Sequence, residues 1–249
     1  MSAIRWDDVA YLYDAYVTAT CDVPYFVAEA RASGGPVLEL MAGTGRLSLP
    51  LVRAGVALTC VDASGEMLAR LCAKLAAEAR QATVVQADVR RLDLGQAFEL
   101  ALLPFNSFSE LVDPGDQELV LAGVRRHLRP GARFICALHN PAVRRATVDG
   151  RPHLLGRYAT TGGALSVWST SRLGSDGVVE GVQEYEEYDA EGVLLRRSTL
   201  DVRFALVERC DFEERAVRAG FRVADLFGDY DRSAFRPDES PYMIFVLDA

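Results

Sequence analysis

The sequence predicts an α/β protein: a doubly wound, mostly parallel sheet with a smaller antiparallel sheet inserted between its fifth and sixth strands. Three observations predict it. From Val37 to Asn140, short apolar runs alternate with helical segments, the rhythm of parallel strands covered by helices on both faces. Between residues 150 and 204 that rhythm gives way to alternating runs separated by turn signals, the pattern of antiparallel hairpins. The third observation is a turn bearing two glycines, in VLELMAGTGRLSLP, where the first strand passes into its helix. Such turns let the backbone approach a ligand closely.

The elements follow in order. WDDVAYLYDAYVT places Trp6, Val9, Ala10, Tyr13, Tyr16 and Val17 at helical spacing, so an amphipathic N-terminal helix is expected over 6–18. Pro24 to Ala32 reads as a second short helix, closed by Ser33-Gly34-Gly35-Pro36. PVLELMAG is the first strand, and RLSLPLVRAG a helix ended by Gly55. VALTCVDAS is the second strand, followed by a helix capped near Ser64. ATVVQADV is the third and FELALLPF the fourth, with a helix from about Pro114 to Leu128 and a fifth strand in ARFICALHN.

Beyond Pro141 three strands are expected, in ALSVWSTSR, GVVEGVQEYEEY and VLLRRSTLDVRF, with turns at 174–177 and 189–192. The α/β rhythm then returns with a helix in ERCDFEERAVRAG and strands in FRVADLFGDYD and SPYMIFVLDA. The connection between these last two is too short for a crossover helix, which predicts an antiparallel pair. The expected organisation is one α/β domain over 1–143 and 205–249, with the inserted sheet over 144–204.

The 249 residues carry a net charge of −8, at a pI of about 5.0. That balance argues against a nucleic-acid surface, which needs a basic face to displace counterions. All but one of the 27 basic residues are arginine; the exception is Lys74, and the bias reads as one of coding. Five scattered cysteines without a CxxC pair read as reduced thiols. The three histidines have no metal-ligand spacing, so no metal site is expected. Asp7 and Asp8 stand where a signal peptide needs apolar residues. No run reaches the roughly 18–20 apolar residues of a membrane span. The expectation is a cytoplasmic protein.

The ligand of the glycine turn is narrowed by its neighbours. A dinucleotide turn requires a third glycine where this chain has Ser48. Asp62 ends the second strand, where an acid takes ribose hydroxyls; Asp88 ends the third, and Glu39 lies in the first. Three acids around one site repel a pyrophosphate and suit a nucleoside with a cationic centre. S-adenosylmethionine has that chemistry, although decarboxylated or polyamine ligands share the charge.

VLELMAGTGRLSLPL, LTCVDASGEMLARL and VVQADVRRLDL resemble, in order and spacing, the first three motifs of the class I S-adenosylmethionine-dependent methyltransferases. The likeness covers residues 37–140 and is looser at both ends. It implies a seven-stranded sheet with an antiparallel last strand, in agreement with the strands counted above. The family often has glycine at the position of Met41, a departure that makes the turn less open.

The resemblance implies that Glu39, Met41, Ala42, Gly43 and Gly45 form the turn about the methionine and sugar. It also implies that Asp62 takes the ribose, Ala63 and Met67 flank adenine, and Asp88 and Val89 hold its edge. Leu103 would lie under the methionine arm.

For the methyl acceptor it points to a small molecule, most simply an amine. The alternatives are a hydroxyl acceptor and a binding protein without catalysis. Tyr13 and Tyr16 on the N-terminal helix resemble the tyrosine of a lid, and Asn106 follows strand four. His139 offers an imidazole able to act as general base. Arg157, Trp168, Glu184 and Tyr185 of the insert, and Tyr230 and Arg232 after strand six, are candidates to complete the acceptor side. In some relatives such an insert forms a dimer interface, so a homodimer is a further expectation.

Overall fold

A computed structural model describes residues 4–249. Two sheets organise the chain. The seven-stranded sheet comprises β1 (Val37–Leu40), β2 (Leu58–Asp62), β3 (Thr83–Gln86), β4 (Phe98–Leu103), β5 (Leu128–His139), β10 (Arg222–Phe227) and β11 (Tyr242–Asp248). Their order is β10-β11-β5-β4-β1-β2-β3. β1 pairs in parallel with β2 and β4, β4 with β5 and β2 with β3, whereas β11 runs antiparallel to both β5 and β10. The central strands are apolar along their length because both faces are covered. One cluster around Phe98, Phe108, Phe134, Phe212 and Phe245 fills one face. Another around Phe26, Leu51, Leu71 and Ile135 fills the other.

The helices follow local chemistry. α4 (Gly65–Ala77) begins at Ser64, whose Oγ accepts the Met67 N–H at 3.1 Å. α5 (Pro114–Arg126) begins at Asp113, with proline in the first turn, where its missing N–H costs nothing. α3 (Ser48–Arg53) follows the glycine turn, and α7 (Arg209–Arg218) precedes β10. α2 (Val23–Ser33) stops at Gly34 in the left-handed conformation. The N-terminal helix is shorter than its pattern predicts: Trp6–Val9 is a 3-10 turn and only Ala10–Tyr16 is α-helical (α1).

The inserted sheet has four strands, not the three expected: β6 (Asp149–Thr160), β7 (Gly163–Leu173), β8 (Val178–Tyr188) and β9 (Leu194–Ala205), paired antiparallel in that order. The extra strand, β6, is silent in the sequence for a physical reason. It is an edge strand exposed along nearly its whole length and contains Pro152, so it shows no inside-outside alternation and carries a residue that strand interiors exclude. The sheet and α1 share a core of their own, with Leu12, Leu165, Val167, Tyr185, Leu200 and Val202 at its centre. The expected lid helix thus packs on the insert. No helix among the described residues is long and apolar enough to cross a membrane.

Candidate functional site

β1 lies between β2 and β4 in the sheet: the chain winds to one side from β1 through β2 to β3, then crosses to the other side for β4 and β5. Strand order reverses there, and the crevice at the carboxyl ends is where open α/β sheets bind ligands. A cavity of about 830 Å³ opens at this place, walled by β-strand ends, the N-terminal segment and the insert.

The glycine turn forms one wall. Met41, Gly43 and Gly45 all have positive φ, at 54, 56 and 86°. Glycine adopts this region at little cost; the methionine holds it against the usual steric penalty. A Cβ on Gly43 would meet nothing within 4 Å, so its bare backbone faces open space. A Cβ on Gly45 would lie 2.4 Å from Leu71 Cδ1. Gly45 therefore serves the close packing of α4 on the turn and does not reach the cavity. Asp62 ties the turn to β2: its Oδ2 accepts the Gly43 N–H at 2.8 Å and its Oδ1 the Ser64 N–H at 2.9 Å. Each oxygen keeps capacity for a further hydrogen bond, and Asp62 lines the cavity. Burial raises the Asp62 pKa, opposed by these backbone donors.

The expected ring of three acids is not what the fold builds. Glu39 is 1% exposed and does not line the cavity. Its carboxyl accepts a hydrogen bond from Ser48 Oγ at 2.6 Å, and burial pushes its pKa up to about 7. Serine at the third glycine position thus has a structural task. Asp88 lines the cavity, yet Arg90 Nε lies 2.8 and 3.0 Å from its two oxygens, and Arg90 Nη1 reaches Asp116 at 2.8 Å. Its charge is matched within the protein. Ala42 and Leu103 fall in the two cores and, like Glu39 and Gly45, are absent from the cavity wall. Tyr13, Tyr16, Met41, Gly43, Asp62, Ala63, Met67, Asp88, Val89, Asn106 and His139 are brought together around it.

The N-terminal segment closes over the turn by polar contacts that the sequence does not announce. Asp7 Oδ1 accepts from Ser64 Oγ at 2.5 Å and from the Glu66 N–H at 3.1 Å, at the start of α4. Asp14 Oδ1 accepts from Thr44 Oγ1 and from Lys74 Nζ, each at 2.6 Å. Arg46 forks onto Asp22 at 2.6 Å. Trp6 Nε1 donates to Glu110 at 3.0 Å, and the Trp6 ring meets Tyr13 edge-on at 5.6 Å.

At the other end, Phe105 and Asn106 adopt positive φ in succession, at 60 and 64°. Asn106 Oδ1 pins that strained turn by accepting the His139 N–H at 2.8 Å and Ser109 Oγ at 2.9 Å. His139 ends β5 with its Nδ1 buried and unpartnered. Burial, with Arg144 nearby, lowers its pKa to about 4. Tyr16 Oη lies 3.0 Å from Tyr185 Oη, and Tyr185 donates to Gln183 Oε1 at 2.7 Å. Tyr185 has a single proton, so Tyr16 donates to Tyr185 and presents only lone pairs elsewhere. Burial holds both phenols protonated, with Tyr185 pushed up to about 12.

Register sorts the insert candidates. Odd-numbered Leu165, Val167, Ser169, Gln183 and Tyr185 turn toward α1 and the cavity. Trp168 and Glu184, one residue out of phase, face away; Trp168 Nε1 donates to Glu186 at 3.3 Å. Arg157 stacks on Tyr188 of that same outer face. Arg232 is taken by Glu29, and Tyr230 lies outside the main cavity. Arg144, Ser169, Gln183 and Phe204 line the wall without any sequence signal, because no motif marks residues brought there by strand phase or, for Arg144, by the short helical turn after β5.

A family model described as "Methyltransferase domain" matches residues 37–131. A phosphatidylethanolamine N-methyltransferase of Cereibacter sphaeroides is 32% identical over 63% of this chain and 76% of its own length. A glycine/sarcosine N-methyltransferase of Parasynechococcus marenigrum is 26% identical over 94% and 79%. The match to a cypemycin N-terminal methyltransferase of Streptomyces, 33% identical, spans only 47% of this chain and 48% of that protein. In structure, an S-adenosylmethionine-dependent methyltransferase of Clostridium acetobutylicum superimposes with a TM-score of 0.83 over 98% of both chains at 16% identity. With the switch-point cavity, the bare Gly43 backbone and the Asp62 carboxylate, these likenesses establish that the chain belongs to the methyltransferase family and is an S-adenosylmethionine-dependent methyltransferase.

Proposed function

We propose that the acceptor is a small-molecule amine, methylated on nitrogen. One observation carries this reading: among the described residues, β5, the segment after it and the insert bring no carboxylate to the cavity. His139, the imidazole there, is kept neutral down to about pH 4 and is therefore a weak base. Glu39 is buried behind the turn. A hydroxyl acceptor needs a base; a neutral amine does not, because the methylated ammonium sheds its proton after the displacement. The relatives described above support the same choice: they are a glycine/sarcosine N-methyltransferase, a phosphatidylethanolamine N-methyltransferase and a cypemycin N-terminal methyltransferase.

In this reading Gly43 and Met41 hold the amino-acid part of S-adenosylmethionine and Asp62 takes the ribose. Ala63, Met67, Val89 and the Asp88–Arg90 pair enclose the adenine. When bound, the cofactor supplies an electrophilic methyl carbon on a sulfonium. The chain supplies alignment and exclusion of water. Tyr16, kept as a hydrogen-bond acceptor by the Tyr185–Gln183 chain, accepts an N–H of the amine and turns its lone pair inward. Tyr13 and Trp6 cover the cavity with aromatic surface.

Labelled S-adenosylmethionine offered with matched amines and phenols tests the proposal. Amines should take up label at least tenfold faster. Preference for phenols, with a loss above about a hundredfold in His139→Ala, would support an O-methyltransferase and overturn the reading.

A further inference from the structure

Arg5, Arg90 and Arg144 are the arginines among the described residues of the cavity wall. Arg5 pairs with Asp8 at 3.2 Å, and Arg90 with Asp88 and Asp116. Arg144 meets no carboxylate among the described residues. Its Nη1 donates to Thr147 Oγ1 at 3.0 Å, its Nε is buried without a partner, and its guanidinium lies 5.5 Å from the Phe204 ring centre. A partly buried guanidinium left uncompensated is costly unless an anion completes it.

Its place is firmly set. α6 (Pro141–Arg144) starts at Asn140, whose Oδ1 accepts the Ala142 N–H at 3.1 Å. The Asn140 Nδ2 donates to the Pro237 and Ser240 carbonyls at 2.7 and 2.8 Å. The cavity's acids, Asp7, Asp62, Asp88, Glu110 and Asp116, come from the N-terminal segment, β2, the turn after β3, the turn after β4 and α5. The wall residues contributed by β5, α6 and the insert are His139, Arg144, Ser169, Gln183, Val202 and Phe204: one positive charge and no negative one.

Resting on the amine reading above, we propose that the acceptor also carries a carboxylate, and that Arg144 binds it through its Nε–Nη2 edge, the one that Thr147 leaves free. Three features fit. A guanidinium matches a carboxylate as a two-pronged donor. Ser169 Oγ and the Gln183 Nε2 are neutral donors on the same wall, and one positive charge balances a carboxylate but leaves a phosphate dianion half compensated. The carboxylate of the cofactor itself is a poorer match. Arg144 follows β5, two strands from β1 in the sheet, which is about 10 Å at ordinary strand spacing.

Calorimetry with benzoate and benzamide on the full chain loaded with S-adenosylhomocysteine tests this at pH 7. Benzoate should bind at least tenfold tighter than benzamide. Arg144→Met should abolish that preference, Arg144→Lys should keep part of it, and neither should alter the affinity for S-adenosylhomocysteine. Unfolding temperatures of both variants should stay near that of the parent, since Arg144 contributes one internal hydrogen bond. With labelled S-adenosylmethionine, amino acids should be preferred over their amides by a similar factor.

Equal binding of the two probes, no binding of benzoate, or tighter binding of inorganic phosphate would overturn the proposal. So would weakened S-adenosylhomocysteine binding in Arg144→Met, which would assign the guanidinium to the cofactor. Failure of the amine reading would show separately, as transfer of label to phenols with the probe preference intact.

Discussion

Over β1 to β3 the cavity wall is a set of settled charges. Arg90 lies between Asp88 and Asp116, and Asp62 on two backbone N–H groups, while outside the cavity lining Lys74 pairs with Asp14. Over β5, α6 and the insert the wall is sparse: a neutral buried imidazole, the neutral Ser169 and Gln183, and a guanidinium that meets no carboxylate among the described residues. The first wall is complete before any ligand arrives and suits a cofactor that never varies. The second keeps unspent hydrogen-bonding capacity, which in the reading proposed above selects the acceptor. The two walls also respond oppositely to pH. Glu39, behind the first, holds a proton more tightly folded than unfolded, whereas His139, in the second, holds one less tightly.

That contrast can be broken or sharpened by measurement. The largest effect is expected from Glu39→Gln. Glu39 has a folded pKa of about 7, above its ordinary 4.5. Its stabilising contribution is therefore full below pH 4.5 and is lost as pH rises to 7. Denaturant unfolding at pH 5 and pH 7.5 should show the parent losing roughly 2–3 kcal/mol relative to Glu39→Gln, at ~1.4 kcal/mol for each pH unit between the folded and unfolded pKa. A flat difference would mean that Glu39 ionises normally in the fold.

Next comes Asp62→Ala, which strips the acceptor from Gly43 and from the proposed ribose site. Affinity for S-adenosylhomocysteine should fall by roughly ten- to a hundredfold, the 1–3 kcal/mol of unpaired buried groups. An unchanged affinity in calorimetry would remove Asp62 from the cofactor site.

Tyr185→Phe acts on the other wall. It deletes the acceptor for the Tyr16 proton and the donor to Gln183, so Tyr16 loses its fixed orientation. A fall in kcat of about tenfold, the ~1.4 kcal/mol of one hydrogen bond with its orientation, is expected with S-adenosylhomocysteine affinity constant. Equal losses in both would show that the walls are not independent.

The smallest effect belongs to Lys74→Met. Its ion pair with Asp14 is part-exposed and is worth at most about 1 kcal/mol. It should speed release of S-adenosylhomocysteine by less than about fivefold in stopped-flow measurements.

Much of the first wall is legible in the chain. Strand-to-helix punctuation locates the glycine turn, and acids at strand ends mark Asp62 and Asp88, because both signals are local in sequence. Local signals also mislead. Glu39 sits beside the turn in sequence, but strand alternation points it behind β1 onto Ser48. Leu103 and Ala42 likewise fall on the core side. Lys74, the one lysine, carries no signal in the sequence beyond its rarity, and it is the tether between α1 and the turn.

The sequence by itself determined the seven apolar strands, the switch point with its bare-backbone turn, and the presence of an antiparallel insert. Each rests on periodicity and turn chemistry within a few residues. Only the tertiary structure decided that α1 would share a core with the insert, that Trp168 and Glu184 would face outward while Gln183 and Tyr185 face in, and that Arg144 would reach the cavity with no carboxylate beside it among the described residues. Those outcomes depend on strand register and on charges brought together across more than a hundred residues of chain, and a one-residue change of phase would have reversed them.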